Sequence, residues 1–228
     1  MYQEHLSPSE SLQWYFDRAA EGVVEAEREL GRMYLHGFTH DEDPSVGINP
    51  DSSEALRWLT QASDAGDDQA AWLLGILHDE RAAGGALDDP EKAFACYRQA
   101  VDRGCRPAQF YLAVSYLLGR GTERDDRRGR ELLVETAYGG DTDAQRFMGE
   151  VCRKDGDEEG AVAWAVVASV FSEDEGESIT GKKAPRGALE RSRLMVQRIN
   201  IYSVLVQCDD PTLMKAADLM RESFYEEI

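Results

Sequence analysis

Residues 91–121, EKAFACYRQAVDRGCRPAQFYLAVSYLLGRG, read as two short amphipathic helices joined by a tight glycine turn. With Gly104 as origin, Ala93 lies eleven residues before it, Cys96 and Tyr97 eight and seven before, and Ala100 four before. Ala108, Ala113, Tyr116 and Gly119 follow at plus four, nine, twelve and fifteen. The four preceding positions share one helical face, so they form the buried stripe of the first helix, helix A. The anchor glycine ends that helix in a left-handed backbone that is cheap only for glycine. Small residues at plus four and plus nine are expected to let helix B approach helix A closely, with the aromatic at plus twelve filling the far end.

The same frame fits three more times. Around Gly22 it selects Ser11, Trp14, Tyr15, Arg18, then Ala26, Gly31, Tyr34 and Gly37. Around Gly66 it selects Ala55, Trp58, Leu59, Ala62, then Ala70, Gly75 and His78; around Gly140, Gly129, Leu132, Leu133, Thr136, then Ala144, Gly149 and Cys152. The anchors are 44, 38 and 36 residues apart, a solenoid-type period. One hairpin of this kind cannot bury its own apolar face, so its neighbours must stack on it.

Trp14 to Gly37 carries W-Y-x-x-A-A-x-G-x-x-x-A-x-x-x-L-G-x-x-Y-x-x-G with slack between elements, repeated as Trp58 to Gly75, Tyr97 to Gly121 and Leu132 to Gly149. These residues resemble Sel1-like repeats, relatives of the tetratricopeptide family. The resemblance spans roughly residues 8 to 172. It implies an all-α, right-handed α-solenoid of about five helix-turn-helix repeats, near 8–37, 52–85, 90–121, 126–155 and 157–172, the last beginning with AVAWAVVAS. It also implies C-terminal capping helices, here over 188–228, after a charged loop at 173–187.

Helix punctuation agrees with this frame. Ser7-Pro8-Ser9-Glu10 is a capping box with proline at the first helical position, and Asp51 with Glu54 is a second. Helices are predicted at about 8–20, 24–36, 52–64, 68–81, from 90, at 126–138 and 142–154, and over 158–171. Between the first two repeats GFTHDEDPSVGINP is an insertion, and AAGGALD lengthens the next connection.

The net charge of −19 argues against nucleic-acid and anionic-membrane partners, which need basic surface. No apolar run approaches a membrane span, and the start, Met1-Tyr2-Gln3-Glu4-His5, has no leader character. The four cysteines lack a pairing pattern. The resemblance implies inter-helix disulfides in some secreted relatives, but only the third repeat here holds two cysteines. Free thiols in a reducing, cytoplasmic setting are therefore expected. Arg120, Arg124, Arg127, Arg128 and Arg130 cluster beside Glu123, Asp125, Asp126 and Glu131, either pairing locally or docking an acidic segment.

Candidate chemistry is thin. Residues 176–183, GESITGKK, match P-loop spacing through the lysine, but Lys183 stands where magnesium needs a hydroxyl, and carboxylates surround it. His36, His40, Asp41, Glu42 and Asp43 gather in the first insertion without metal-ligand spacing. No Ser-x-x-Lys, Gly-x-Ser-x-Gly or His-Glu-x-x-His occurs, so no catalytic residues, cofactor or metal are assigned. Trp14, Trp58 and Trp164 share one repeat position and are expected in the core, and His78 in an aromatic slot is expected to pack.

What remains is the opposite face of helix A, at minus nine, six, five and two, expected to line a concave groove. It presents Gln13, Phe16 and Asp17; Arg57, Thr60, Gln61 and Asp64; Arg98, Gln99 and Asp102; then Glu131, Val134, Glu135 and Tyr138. Phe16 and Tyr138 either anchor a partner or simply pack on neighbouring helices, and Arg57 and Arg98 are the candidate carboxylate grips. The leading expectation is a non-catalytic adaptor or scaffold binding a protein or peptide there, as monomer or weak homodimer. An immunity or inhibitor protein neutralising a bacterial toxin or effector is the alternative, and a hydrolytic enzyme a third.

Overall fold

In a computed structural model the described residues are 7–82 and 84–171. The predicted charged loop, the P-loop-like run and the capping helices lie outside them. The described residues form helices α1 (Pro8–Ala20), α2 (Val24–His36), α3 (Ser52–Asp64), α4 (Asp68–His78), α5 (Pro90–Asp102), α6 (Pro107–Leu118), α7 (Asp126–Tyr138), α8 (Thr142–Lys154) and α9 (Glu158–Phe171). Strands β1 (Phe38–Thr39) and β2 (Gly47–Ile48) pair antiparallel within the first insertion. The chain divides into two compact units between Arg124 and Asp125.

Each helix starts and stops for a local reason. The Ser7 capping box forms as expected. Asp51 caps α3 by accepting from the Ser53 and Glu54 amides, but the reciprocal half of that box does not form. The Glu54 carboxylate turns instead to Arg57, and the Asp51 amide donates to the Tyr34 carbonyl at 2.8 Å. α4 ends at His78 rather than 81, because Leu77 and His78 direct their carbonyls to the amides of Ala86, Leu87 and Asp89 in the next connection. At the anchors Gly22, Gly66, Gly104 and Gly140, φ lies between 80° and 104°. A Cβ built at any of the four meets nothing within 4 Å, so glycine is required there for backbone conformation and not for space. The residue after the anchor is Asp67 in one turn and Asp141 in another, and each caps the helix that follows.

The tightest packing runs from helix B to the next repeat's helix A, which corrects the expected role of the plus-nine position. A Cβ on Gly31 of α2 would lie 2.6 Å from the Leu59 side chain of α3, and one on Gly75 of α4 would enter the Tyr97 ring of α5. In the second unit, Gly149 of α8 approaches the Ala161 carbonyl of α9. Leu59, Tyr97 and Leu133, all at minus seven, are fully buried. The small residue therefore serves the seam between repeats, which is where isolated hairpins lack a core.

Trp58 and Trp164 are buried as expected, but Trp14 is 38% exposed. Trp58 packs with Leu30 and Met33 of α2, the helix B before it. No helix among the described residues precedes α1. Its minus-four position holds Arg18, paired with Glu21 at 2.7 Å, where later repeats place Ala62, Ala100 and Thr136.

Candidate functional site

The outer face of helix A is open in the first unit. Gln13, Asp17, Arg57, Thr60, Gln61, Asp64, Arg98, Gln99 and Asp102 are exposed on α1, α3 and α5. Recurrence at fixed distances from the anchor glycine places them: minus five carries Asp17, Gln61 and Gln99, and minus two carries Asp64 and Asp102. Some are already engaged. Gln13 donates to Asp17 at 2.9 Å. Arg57 pairs with Glu54 at 2.7 Å and lies 3.9 Å above the Trp58 ring, so part of its guanidinium is lid to the core. Arg98 lies 5.8 Å from the Phe94 ring. Gln61, Gln99, Asp64 and Asp102 have no side-chain partner among the described residues.

For both aromatics the structure shows packing on neighbouring helices. Phe16 is half-buried and packs against the cluster of Ala19, Leu30, Met33 and Trp58. Tyr138 is buried at 7% exposure, its ring 5.2 Å from that of Trp164 in a T-shaped contact. In this seam the minus-two residue of α7 lies against Trp164 of α9, and the tyrosine is drawn into the core. Val134 is buried as well, and Glu131 and Glu135 are half-buried, Glu131 pairing with Arg127 at 3.2 Å. The polar face of α1, α3 and α5 thus has no open counterpart on α7.

Within the arginine cluster, Arg127 pairs with the expected neighbour Glu131, while Arg120 and Arg130 find partners farther along the chain. Arg120 reaches Asp79 at 3.2 Å and Asp88 at 3.7 Å in the α4–α5 connection. Arg130 forms a two-point bridge to Asp155 at 2.6 and 3.0 Å. The Arg130 guanidinium holds the Asp155 carboxyl below its ordinary range. Ties between repeats follow the same style. Arg28 of α2 meets Asp67 at 2.7 Å, and Arg103 donates to the Ser63 and Asp67 carbonyls at 3.0 and 3.3 Å.

In the first insertion, the Glu42 amide donates to His40 Nδ1 at 3.2 Å and the Asp43 carboxylate takes the Ser45 amide and hydroxyl. These are turn contacts, and no group of three His, Cys, Asp or Glu side chains converges among the described residues. His36 sits against Gly84, its pKa lowered by burial and then by Arg32. His78 is buried, its pKa lowered by burial and then by Lys92. Burial pushes the Cys105 thiol up to about 11, which keeps it protonated and unreactive. Cys96 and Cys105 form no disulfide among the described residues. No described helix is long and apolar enough to cross a membrane.

The paired helices, glycine-ended A helices and seams between B and next A define a helix-turn-helix repeat protein of the solenoid class. The profile of the Sel1 repeat matches residues 24–67, 68–105 and 106–141, and the chain belongs to that family. Those matched units each begin with a helix B and run into the following helix A. Among solved structures, a protective antigen present in uropathogenic Escherichia coli strains and displaying an SLR fold is 21% identical with a TM-score of 0.60. The alignment covers 96% of this chain but only 41% of that one. A Sel1 repeat protein from Oxalobacter formigenes is 23% identical with a TM-score of 0.58, over 83% of this chain and 75% of that one. A search of curated proteins finds no match. Sel1-repeat proteins are generally protein-interaction scaffolds and typically non-catalytic.

Proposed function

We propose that this protein is a non-catalytic adaptor that holds a polypeptide segment on the outer faces of α1, α3 and α5. The observation that supports it is the contrast within single helices. Ala55, Leu59 and Ala62 of α3 are fully buried, while Arg57, Gln61 and Asp64 of the same helix are exposed. The uncommitted groups fall at the same register in successive repeats, as repeated contacts along an extended segment require. Cys96 and Cys105, which form no disulfide among the described residues, suit a reducing, cytoplasmic setting.

Panning a random peptide display library on the full chain tests the reading. Enriched peptides should lose at least tenfold in affinity for a variant carrying Arg57→Ala, Gln61→Ala, Arg98→Ala and Gln99→Ala, with helicity unchanged. Binding that is unchanged in that variant would move the site off these faces.

A further inference from the structure

We infer that the segment held on this surface is an extended, lysine- or arginine-rich stretch of polypeptide, met along its main chain by Gln61 and Gln99 and on its cationic side chains by Asp64 and Asp102. This rests on the reading above that these faces bind a polypeptide. Gln61 and Gln99 occupy one register position on consecutive A helices, exposed and without partners among the described residues. A carboxamide offers a donor and an acceptor together, which suits the alternating amide and carbonyl of an extended main chain whatever its sequence.

Asp64 and Asp102 lie one turn further on, and each is the last residue of its helix. A carboxylate there adds to the negative end of the helix dipole, an unfavourable placement, and neither α3 nor α5 has a basic residue in its last turn. None of the arginines around these helix ends pairs with either carboxylate among the described residues. Arg98, four residues before Asp102, lies 5.8 Å from the Phe94 ring. Arg103 follows Asp102 directly but gives its guanidinium to the Ser63 and Asp67 carbonyls; Arg28 is held by Asp67 and Arg57 by Glu54. Two successive helices thus present, among the described residues, the same unpaired terminal carboxylate beside a carboxamide without a partner. A cation supplied from outside meets a carboxylate and a helix C-terminus at both places. The net charge of −19 draws such a segment in but does not select the face.

The test is fluorescence anisotropy with the full chain and three labelled dodecapeptides, alternating Lys-Ser, Gln-Ser and Glu-Ser, at physiological salt. The Lys-Ser peptide should bind at least tenfold tighter than the Gln-Ser peptide. Asp64→Asn with Asp102→Asn should weaken it at least tenfold, and Gln61→Ala with Gln99→Ala should weaken both of these peptides. The control, Glu25→Gln with Glu80→Gln, removes two exposed carboxylates off this face and should change binding less than twofold. Equal losses in the two charge variants would overturn the inference, reducing the effect to overall charge. Gln-Ser or Glu-Ser binding as tight as Lys-Ser and lost with the two glutamines would overturn it too, while leaving the polypeptide-binding face in place. Binding of none of the three, together with no face-dependent peptide from display panning, would remove both.

Discussion

The buried stripe of α3 and its outer face lie about half a helical turn apart and differ in everything but backbone. On the stripe, Leu59 presses on Gly31 across the seam to α2, and Trp58 joins the α2 cluster. On the outer face Gln61 and Asp64 are exposed and have no side-chain partner among the described residues. The stripe carries the stability of the stack, and the face is free of that duty and open to selection for binding. The same contrast holds on α5 and closes on α7, where Tyr138 and Val134 turn inward. Substitutions should therefore sort by side, large on the seam and nearly silent for folding on the face.

The largest expected effect is at the seam. Gly75→Leu drives a side chain into the Tyr97 ring, itself fully buried, and should destabilise by about 3 kcal/mol or more, read from the urea midpoint. A loss below about 1 kcal/mol would mean that α4 and α5 separate easily, and the contrast would fail. Next, Trp58→Ala should cost about 3–5 kcal/mol. Trp14→Ala, at the same repeat position but 38% exposed, should cost about 1–2 kcal/mol for its partial burial. Equal costs would show that repeat position alone, and not the preceding helix B, makes the core.

Smaller effects test the turns. Gly66→Ala keeps all contacts but places a side chain at φ 104°, and should cost about 1–2 kcal/mol in thermal or urea unfolding. Asp155→Asn should cost about 0.5 kcal/mol near neutral pH, since its bridge to Arg130 is well exposed. The folded Asp155 carboxyl has a lowered pKa, so its contribution is present above the unfolded value and is lost as pH falls through the folded one. Wild type and variant should converge in acid, and a gap that widens there would contradict the bridge. Smallest of all, Gln61→Ala with Gln99→Ala should shift stability by less than about 0.5 kcal/mol, while reducing peptide capture. A large folding loss would place those glutamines in the core's service.

Much of the architecture was readable in the chain because its determinants are local. A glycine that must take positive φ, a Ser-Pro-x-Glu start and a four-position apolar stripe each act within one or two turns. They placed helix ends to within a residue or so, except for α4. The site was less legible. The list of outer-face residues could be written from register, but whether Tyr138 and Phe16 anchor a partner or pack could not be decided, because what covers them comes from α9 and from the α2–α3 cluster. Arg120 and Arg130 showed the same gap. Their sequence neighbours offered carboxylates, yet their partners lie in other helices and connections.

By itself, then, the sequence determined the period, the helices, the turns and the family, since each follows from short-range backbone preference and burial periodicity. Only the tertiary structure decided that the plus-nine glycine serves the next repeat, that Trp14 stays exposed, and that the polar face is open on α1, α3 and α5 and closed on α7. The reason is physical: whether a side chain is core or surface depends on which helix lies against it, and that neighbour is set by stacking between repeats rather than by residues nearby in the chain.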